Sequence, residues 1–570
     1  MSALRRGIFV LLALTLFFPA ALFAQQNGLE SLLPGETIFY VSWRGEAGMT
    51  AHKATNSLLR LWNDPDLAPA HAMLASGLLT PDTKDLPPLS ADEFRQLLTN
   101  PGMFAVLRLP ADVKPHEKPG AKAGVGASGV HAAMLGIYDR TGREQILDKA
   151  LEWKPAGKAA PTITKTAFHG MDIVEVKSGT DSYYRTLAGH FLVVSDYREV
   201  AEHWAAKLAG PSPAVGSLGE TAEFRAARQR AGSDAALSFF FNMRVLLDEI
   251  NAGVKDEQSR KVVEALHFDQ VHCVVGSLSF DEPATRLQFS LLGRIDPGGL
   301  LSIFGPSRAD FPSLKITPAG VFSYSATRLD LTAIYRFIRR VAEAALPQGQ
   351  GVIVNQVDQY VTQQFGMSME DMLKLLSGDF TAIKQDPQGD FSESVFVLGV
   401  EKPADVLHVI ELLFASNIVT EESEGDVTYL SFVMPQPPVE GKPAAKKFYH
   451  MAIGPKMLVI AHRKSDARNF LARAGETSTA ASLASDPKFQ AARSRLPAEL
   501  SSMSYMDLSR VEWKDMVDKF SEFQHGTPDP QKLEMIKSMF PSAAFSRSLH
   551  SIVTGMWRDP SGLYYDGYIE

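Results

Sequence analysis

Apolar positions along this chain follow two periods. Short runs rich in aromatic and β-branched residues read as strands, and longer stretches with apolar residues three or four apart read as helices. Residues 38–43 predict a strand, approached through Leu32, Leu33, Pro34 and Thr37. Pro34 cannot donate to a ladder, so it belongs before the strand. Residues 103–107 and 133–138 predict further strands, and residues 184–189 with 191–194 predict a hairpin. Ile146, Leu147, Ala150 and Leu151, then Val200, Trp204 and Leu208, mark intervening amphipathic helices. Residues 237–241 read as a strand, and a long hairpin closes the series over 271–281 and 286–292.

The same order then recurs. Strand patterns return at 321–325, 380–383, 396–400, 449–454, 457–460, 502–506, 549–559 and 563–569. Val406, Val409, Ile410 and Leu413 mark one helix, and Ala467, Phe470 and Leu471 another. The sharpest match is residues 217–230 over 482–495, ungapped, with seven of fourteen positions identical. Thr221 and Asp486 fall together there as N-cap residues, with Pro487 at the first helical position. Asn242 and Asp507 form a second pair of N-cap types. Capping signatures at Ser90–Glu93 and Ser368–Asp371 predict helices that stop near Gly102 and Gly378. Stripes at Ile334, Phe337, Ile338, Val341 and Ala345, and at Ile353, Val357, Tyr360 and Val361, read as core. Arg336 and Arg340 share a polar helix face, solvated or holding an acidic partner. Residues 296–312 join the copies, while 110–129 and 435–447 read as mobile loops. The expected fold is α+β: two tandem pseudo-equivalent repeats, residues 25–300 and 301–570, each a mainly antiparallel sheet with helices packed on one face.

The first residues change the picture of location. Arg5 and Arg6 precede an apolar run over 8–18, then Pro19 and Leu22-Phe23-Ala24. That layout predicts a secretory signal over 1–24, cleaved after Ala24 and too short to span a bilayer. Without it the chain carries 55 basic and 65 acidic residues, a net charge of −10. No dense basic tract or second long apolar run occurs, so neither nucleic acid nor a transmembrane span is expected. Cys273 is the single cysteine, which excludes an internal disulfide.

Candidate chemistry is sparse. Residues 124–129 spell Gly-x-Gly-x-x-Gly, but a Pro/Lys-rich loop precedes them and a strand pattern follows, the reverse of what a dinucleotide site needs. His267, Asp269, His272 and Cys273 crowd together, yet adjacent strand residues point to opposite faces, so no metal and no cofactor are expected. His272 over His550, both in the strand that opens the closing hairpin, is the pair of most chemical interest and gives the candidate catalytic residues. A strand histidine bonded within its sheet is the commoner use of such a position.

At the Leu-Pro-x-x-Thr approach over 33–37, the Gly-stopped helices and the Phe-x-Ala-Ala-Arg stretch, the chain resembles an uncharacterised family of exported bacterial proteins with duplicated α+β repeats. The resemblance implies export and architecture, and brings no catalytic residues. The expected function is a non-enzymatic binding or envelope-structural module in the periplasm or outside the cell, with an envelope protein or ligand as partner. The alternative is a hydrolase with one site at the junction between the repeats.

Overall fold

The structure, a computed structural model, describes residues 29–45, 55–68, 93, 96, 99–109, 132–152, 162–178, 181–210, 216–232, 235–254, 256–296, 298–346, 352–388, 393–414, 418–435, 446–475, 480–513 and 541–570. The signal segment, Ser90, the Gly-x-Gly-x-x-Gly stretch and nearly all of both insertions lie outside them.

The order begins with β1 (Thr37–Trp43), α1 (Ser57–Trp62), β2 (Gly102–Arg108), β3 (Ala132–Asp139) and α2 (Glu144–Glu152). Four strands follow, β4 (Thr162–Phe168), β5 (Met171–Ser178), β6 (Asp181–Ala188) and β7 (Phe191–Ser195), then α3 (Arg198–Ala209) and α4 (Ala222–Ala231). Next come β8 (Leu237–Asn242), α5 (Met243–Gly253), α6 (Glu257–Ala265), β9 (Val271–Asp281) and β10 (Ala284–Gly293). After a short α7 (Ser313–Ile316) the chain enters β11 (Ser323–Arg328), α8 (Leu331–Ala345), α9 (Val352–Phe365), α10 (Met369–Leu373), β12 (Leu376–Lys384), β13 (Val395–Val400) and α11 (Pro403–Phe414). It ends through β14 (Ile418–Glu424), β15 (Val427–Pro435), β16 (Lys446–Ile453), β17 (Met457–Ala461), α12 (Lys464–Arg473), α13 (Pro487–Arg493), β18 (Ser502–Asp507), α14 (Ser542–Ser548), β19 (Ser551–Asp559) and β20 (Gly562–Ile569).

Among the described residues the twenty strands join one antiparallel sheet. Their pairings give the spatial order β4-β5-β6-β7-β3-β2-β1-β8-β9-β10-β20-β19-β18-β11-β12-β13-β17-β16-β15-β14. The outermost strands, β4 and β14, carry no strong apolar alternation and are not legible in the sequence. β4 faces solvent along nearly its whole length, so packing never selected a pattern there.

Alternation fixes the two faces. Tyr40, Met103, Ala105, Leu135, Phe240 and Val275 lie on one face, packed with Trp204 of α3 and Phe224 of α4. In the second half, Tyr324, Ile383, Val397, Met503 and Tyr505 pack with Phe470 of α12 and Phe489 of α13. Helices are not confined to that face. Met243 of α5 packs with Val274 and Leu291 on the other side, and Glu249 of α5 binds Arg108, the neighbour of core-facing Leu107, at 2.7 Å. Burial of both faces corrects the expected one-sided arrangement. Thr221, Asp486, Asn242 and Asp507 all cap as the sequence predicts.

Three further expectations need correction. No residue of α8 is fully buried and Ile338 is 59% exposed, so its stripe is only partly covered. On α9, Val361 is buried while Val357 and Tyr360 are exposed. Gly378 does not end a helix: α10 stops at Leu373, and Gly378 sits within β12 at φ +80° where the register with β13 shifts. Arg336 and Arg340 are engaged within the chain, by Glu370 at 2.6 Å and by the Gly298 carbonyl at 2.6 Å.

Candidate functional site

The place to look for a site between the halves is the β10–β20 seam. These strands pair over eight residues, from Thr285 opposite Ile569 to Leu292 opposite Gly562. On the second face the seam is apolar, with Leu291, Leu563 and Met556 packed under Leu301 and Phe304 of the joining segment. On the first face it is polar and buried. Gln288 stands directly opposite Asp566, and its Nε2 donates to Asp566 Oδ1 at 3.2 Å. Arg286 Nη2 donates to Asp566 Oδ2 at 2.8 Å, and Ser277 Oγ donates to Gln288 Oε1 at 3.3 Å. Asp566 is only 4% exposed. Burial opposes the charge on Arg286, yet the hydrogen bond and charge of Asp566 leave its pKa raised.

The repeated stretch delivers two more arginines here. Arg230, on the last turn of α4, lies 4.2 Å from the Tyr564 ring centre and 4.8 Å from that of Trp557. Those rings stack on each other at 5.6 Å. Tyr564 donates to Asp559 at 3.1 Å, and burial is the main cause of its raised pKa. Arg495, two residues beyond α13, lies 5.9 Å from the Tyr568 ring and 3.5 Å from Glu570. The seam is therefore an interlocked strand pair whose charges are met by one another or by rings.

The two histidines are not brought together with a nucleophile. His272 is half-buried on β9, and its pKa is lowered by burial first, then by Arg244 and Arg294 against the opposing pull of Glu223. His550 is exposed and lies just before β19, not within the strand as the pattern predicts. Its backbone N–H is held by the Glu570 carbonyl. Neither imidazole is hydrogen-bonded to a serine or an acid among the described residues. Cys273 points into the core, where burial pushes its thiol up to about 12. His267 sits 3.9 Å from Asp269 on the surface. Among the described residues no three His, Cys, Asp or Glu side chains are placed to share a metal, and no helix is long and apolar enough to cross a membrane.

Sequence reasoning missed Gln288, Asp566 and the ring partners of Arg230. The signal available was Arg230 over Arg495, the last identical position of the repeated stretch. Comparison with family models, curated proteins and solved structures finds no match to this chain.

Proposed function

We propose that this chain is an exported, non-enzymatic binding or envelope-structural protein, made of two equivalent α+β repeats over residues 25–300 and 301–570. The strand order supports the duplication. Read inward from its edge, the first half runs 4, 5, 6, 7, 3, 2, 1, 8, 9, 10, and the second runs the same sequence with ten added to each number. Local details agree. Pro34 bridges to Ser217 and Pro318 to Ser482, while Leu218 N–H donates to the Leu33 carbonyl and Leu483 N–H to that of Thr317. The layout of residues 1–24 and the resemblance to exported proteins support a periplasmic or extracellular location.

The observation that carries the non-enzymatic reading is the eight-residue ladder across the seam. A hydrolase working between the halves needs an open cleft with an activated nucleophile. Here the buried carboxylate is occupied by Arg286 and Gln288, and among the described residues neither candidate imidazole is hydrogen-bonded to a serine or an acid. The test is crosslinking of the tagged protein in its native envelope, then titration of each captured protein against the purified chain. Saturable binding by one envelope protein supports the reading. Ester, peptide or glycoside hydrolysis that disappears in His272→Gln or His550→Gln overturns it in favour of the junction hydrolase.

A further inference from the structure

The sheet ends in two free edges. Among the described residues β4 pairs only with β5, and β14 only with β15. Residues 162–167 of β4 and 419–424 of β14 are exposed on both faces. An edge strand presents backbone N–H and C=O groups that template a further strand.

The two edges differ in charge. β4 carries one charged residue, Lys165, between two threonines. Its nearest acid, Asp172, is 4.0 Å away and both side chains are exposed. β14 carries Glu421, Glu422 and Glu424. Glu422 stands opposite core-facing Tyr429. It and Glu424 are held by α12, through Lys464 at 2.6 Å and Arg468 at 3.2 Å. Glu421 lies on the second face, opposite Leu430, and has no ion-pair partner among the described residues. Lys165 lies on that face too. It is in one row with Val174, Arg185 and Val194, and Val194 follows core-facing Val193.

Strand parity makes the edges compatible. The twenty strands alternate in direction, so the first and last in the spatial order run opposite ways. A copy set beside another along the sheet therefore meets it antiparallel, second face continuing second face. Lys165 must then stand opposite a second-face residue of β14, and Glu421 is the acidic one, Ser423 being its neighbour on that face. The register follows: Thr166 opposite Thr420, Lys165 opposite Glu421, Thr164 opposite Glu422, and Ile163 opposite Ser423. The irregularity of β14 between Ile418 and Thr420 ends the straight stretch there. Opposite charges and facing threonines favour a cross-strand pair, and like charges oppose it.

Pairing of like edges is worse. β14 against β14, centred on Glu421, Glu422 or Ser423, sets glutamate opposite glutamate in every case. β4 against β4 leaves Lys165 without an acid.

We propose that copies of this chain join edge to edge, β4 of one paired antiparallel with β14 of the next. The contact uses two different patches, so each copy engages two neighbours. The inference goes beyond the proposed function and does not depend on it.

Sedimentation equilibrium of the purified chain should show a weight-average mass that rises with concentration. Lys165→Glu and Glu421→Lys should each weaken association about tenfold, with little change in thermal midpoint because neither side chain is buried. Both changes in one chain should restore association, since each new glutamate then meets a new lysine. Thr166→Cys and Thr420→Cys, made in separate chains, should form a disulfide-linked pair when mixed and oxidised, and little when either is oxidised alone; Cys273 is buried and stays out of the reaction. A monomer at every concentration, no recovery in the doubly exchanged chain, or equal crosslinking of either cysteine variant by itself overturns the inference.

Discussion

Gln288 and Asp566 face each other at the middle of the strand pair that joins the two halves of the sheet, linked by a 3.2 Å hydrogen bond from amide to carboxylate. Arg286 binds the other carboxylate oxygen. Removing one member of a buried ion pair strands the other, which typically costs about 3–5 kcal/mol, whereas a hydrogen bond from a neutral amide to a charged group contributes about 1.5–3 kcal/mol. Because Arg286 is partly exposed, Asp566→Ala is expected to lose about 3 kcal/mol and Gln288→Ala about 1.5 kcal/mol. Urea unfolding followed by circular dichroism measures both. Equal losses in the two variants would show that the ion pair adds nothing beyond the amide contact.

Arg230 between Tyr564 and Trp557 should resist conservative replacement. A guanidinium over rings contributes about 1–2 kcal/mol when partly desolvated, and lysine lacks the planar group that stacks. Arg230→Lys should therefore destabilise nearly as much as Arg230→Ala. Arg495, over one ring at 5.9 Å, should matter less. Thermal midpoints of the three variants decide the order.

Stability should fall on mild acidification. His203, His272 and His450 all have lowered pKa values, in each case through burial first. Lys207 adds to the effect at His203, and Lys464 and His462 at His450. Around His272, Arg244 and Arg294 act with burial and Glu223 acts against them. A base held below its free value binds protons more readily when unfolded, so its contribution is complete above about pH 6.5 and is lost as the pH falls toward the folded pKa. The thermal midpoint should drop between about pH 7.5 and 5. The triple His→Gln variant should show a flatter profile; an unchanged slope would place the effect on other groups.

Cys273 should be silent to thiol reagents in the folded protein. It is fully buried, and its thiol is pushed up to about 12, which leaves almost no thiolate near pH 8. Reaction with a chromogenic disulfide should follow global unfolding in urea. Rapid labelling of the native protein would show that β9 opens locally.

Much of this architecture was legible because it rests on patterns that local physics enforces. Alternation located β1, β3 and the β9–β10 hairpin, and the caps at Thr221, Asp486, Asn242 and Asp507 marked helix starts within a residue. The outermost strands, β4 and β14, escaped notice because a solvent-facing strand needs no apolar rhythm. Gly378 misled because glycine serves a helix end and a strand irregularity equally well. The seam was invisible for another reason. Gln288 and Asp566 are 278 positions apart, and only the pairing of β10 with β20 makes a polar residue in each strand intelligible.

The opposition of an amide and a carboxylate also limits how this molecule can associate with copies of itself. If β20 left β10 and paired in the same register with β20 of a second molecule, Asp566 would meet Asp566, two carboxylates sharing one buried position. β10 against β10 would set Gln288 against Gln288, a contact that amides satisfy readily. The asymmetry therefore disfavours association of two copies through β20 against β20, and leaves β10 against β20 as the pairing in which the carboxylate meets its amide.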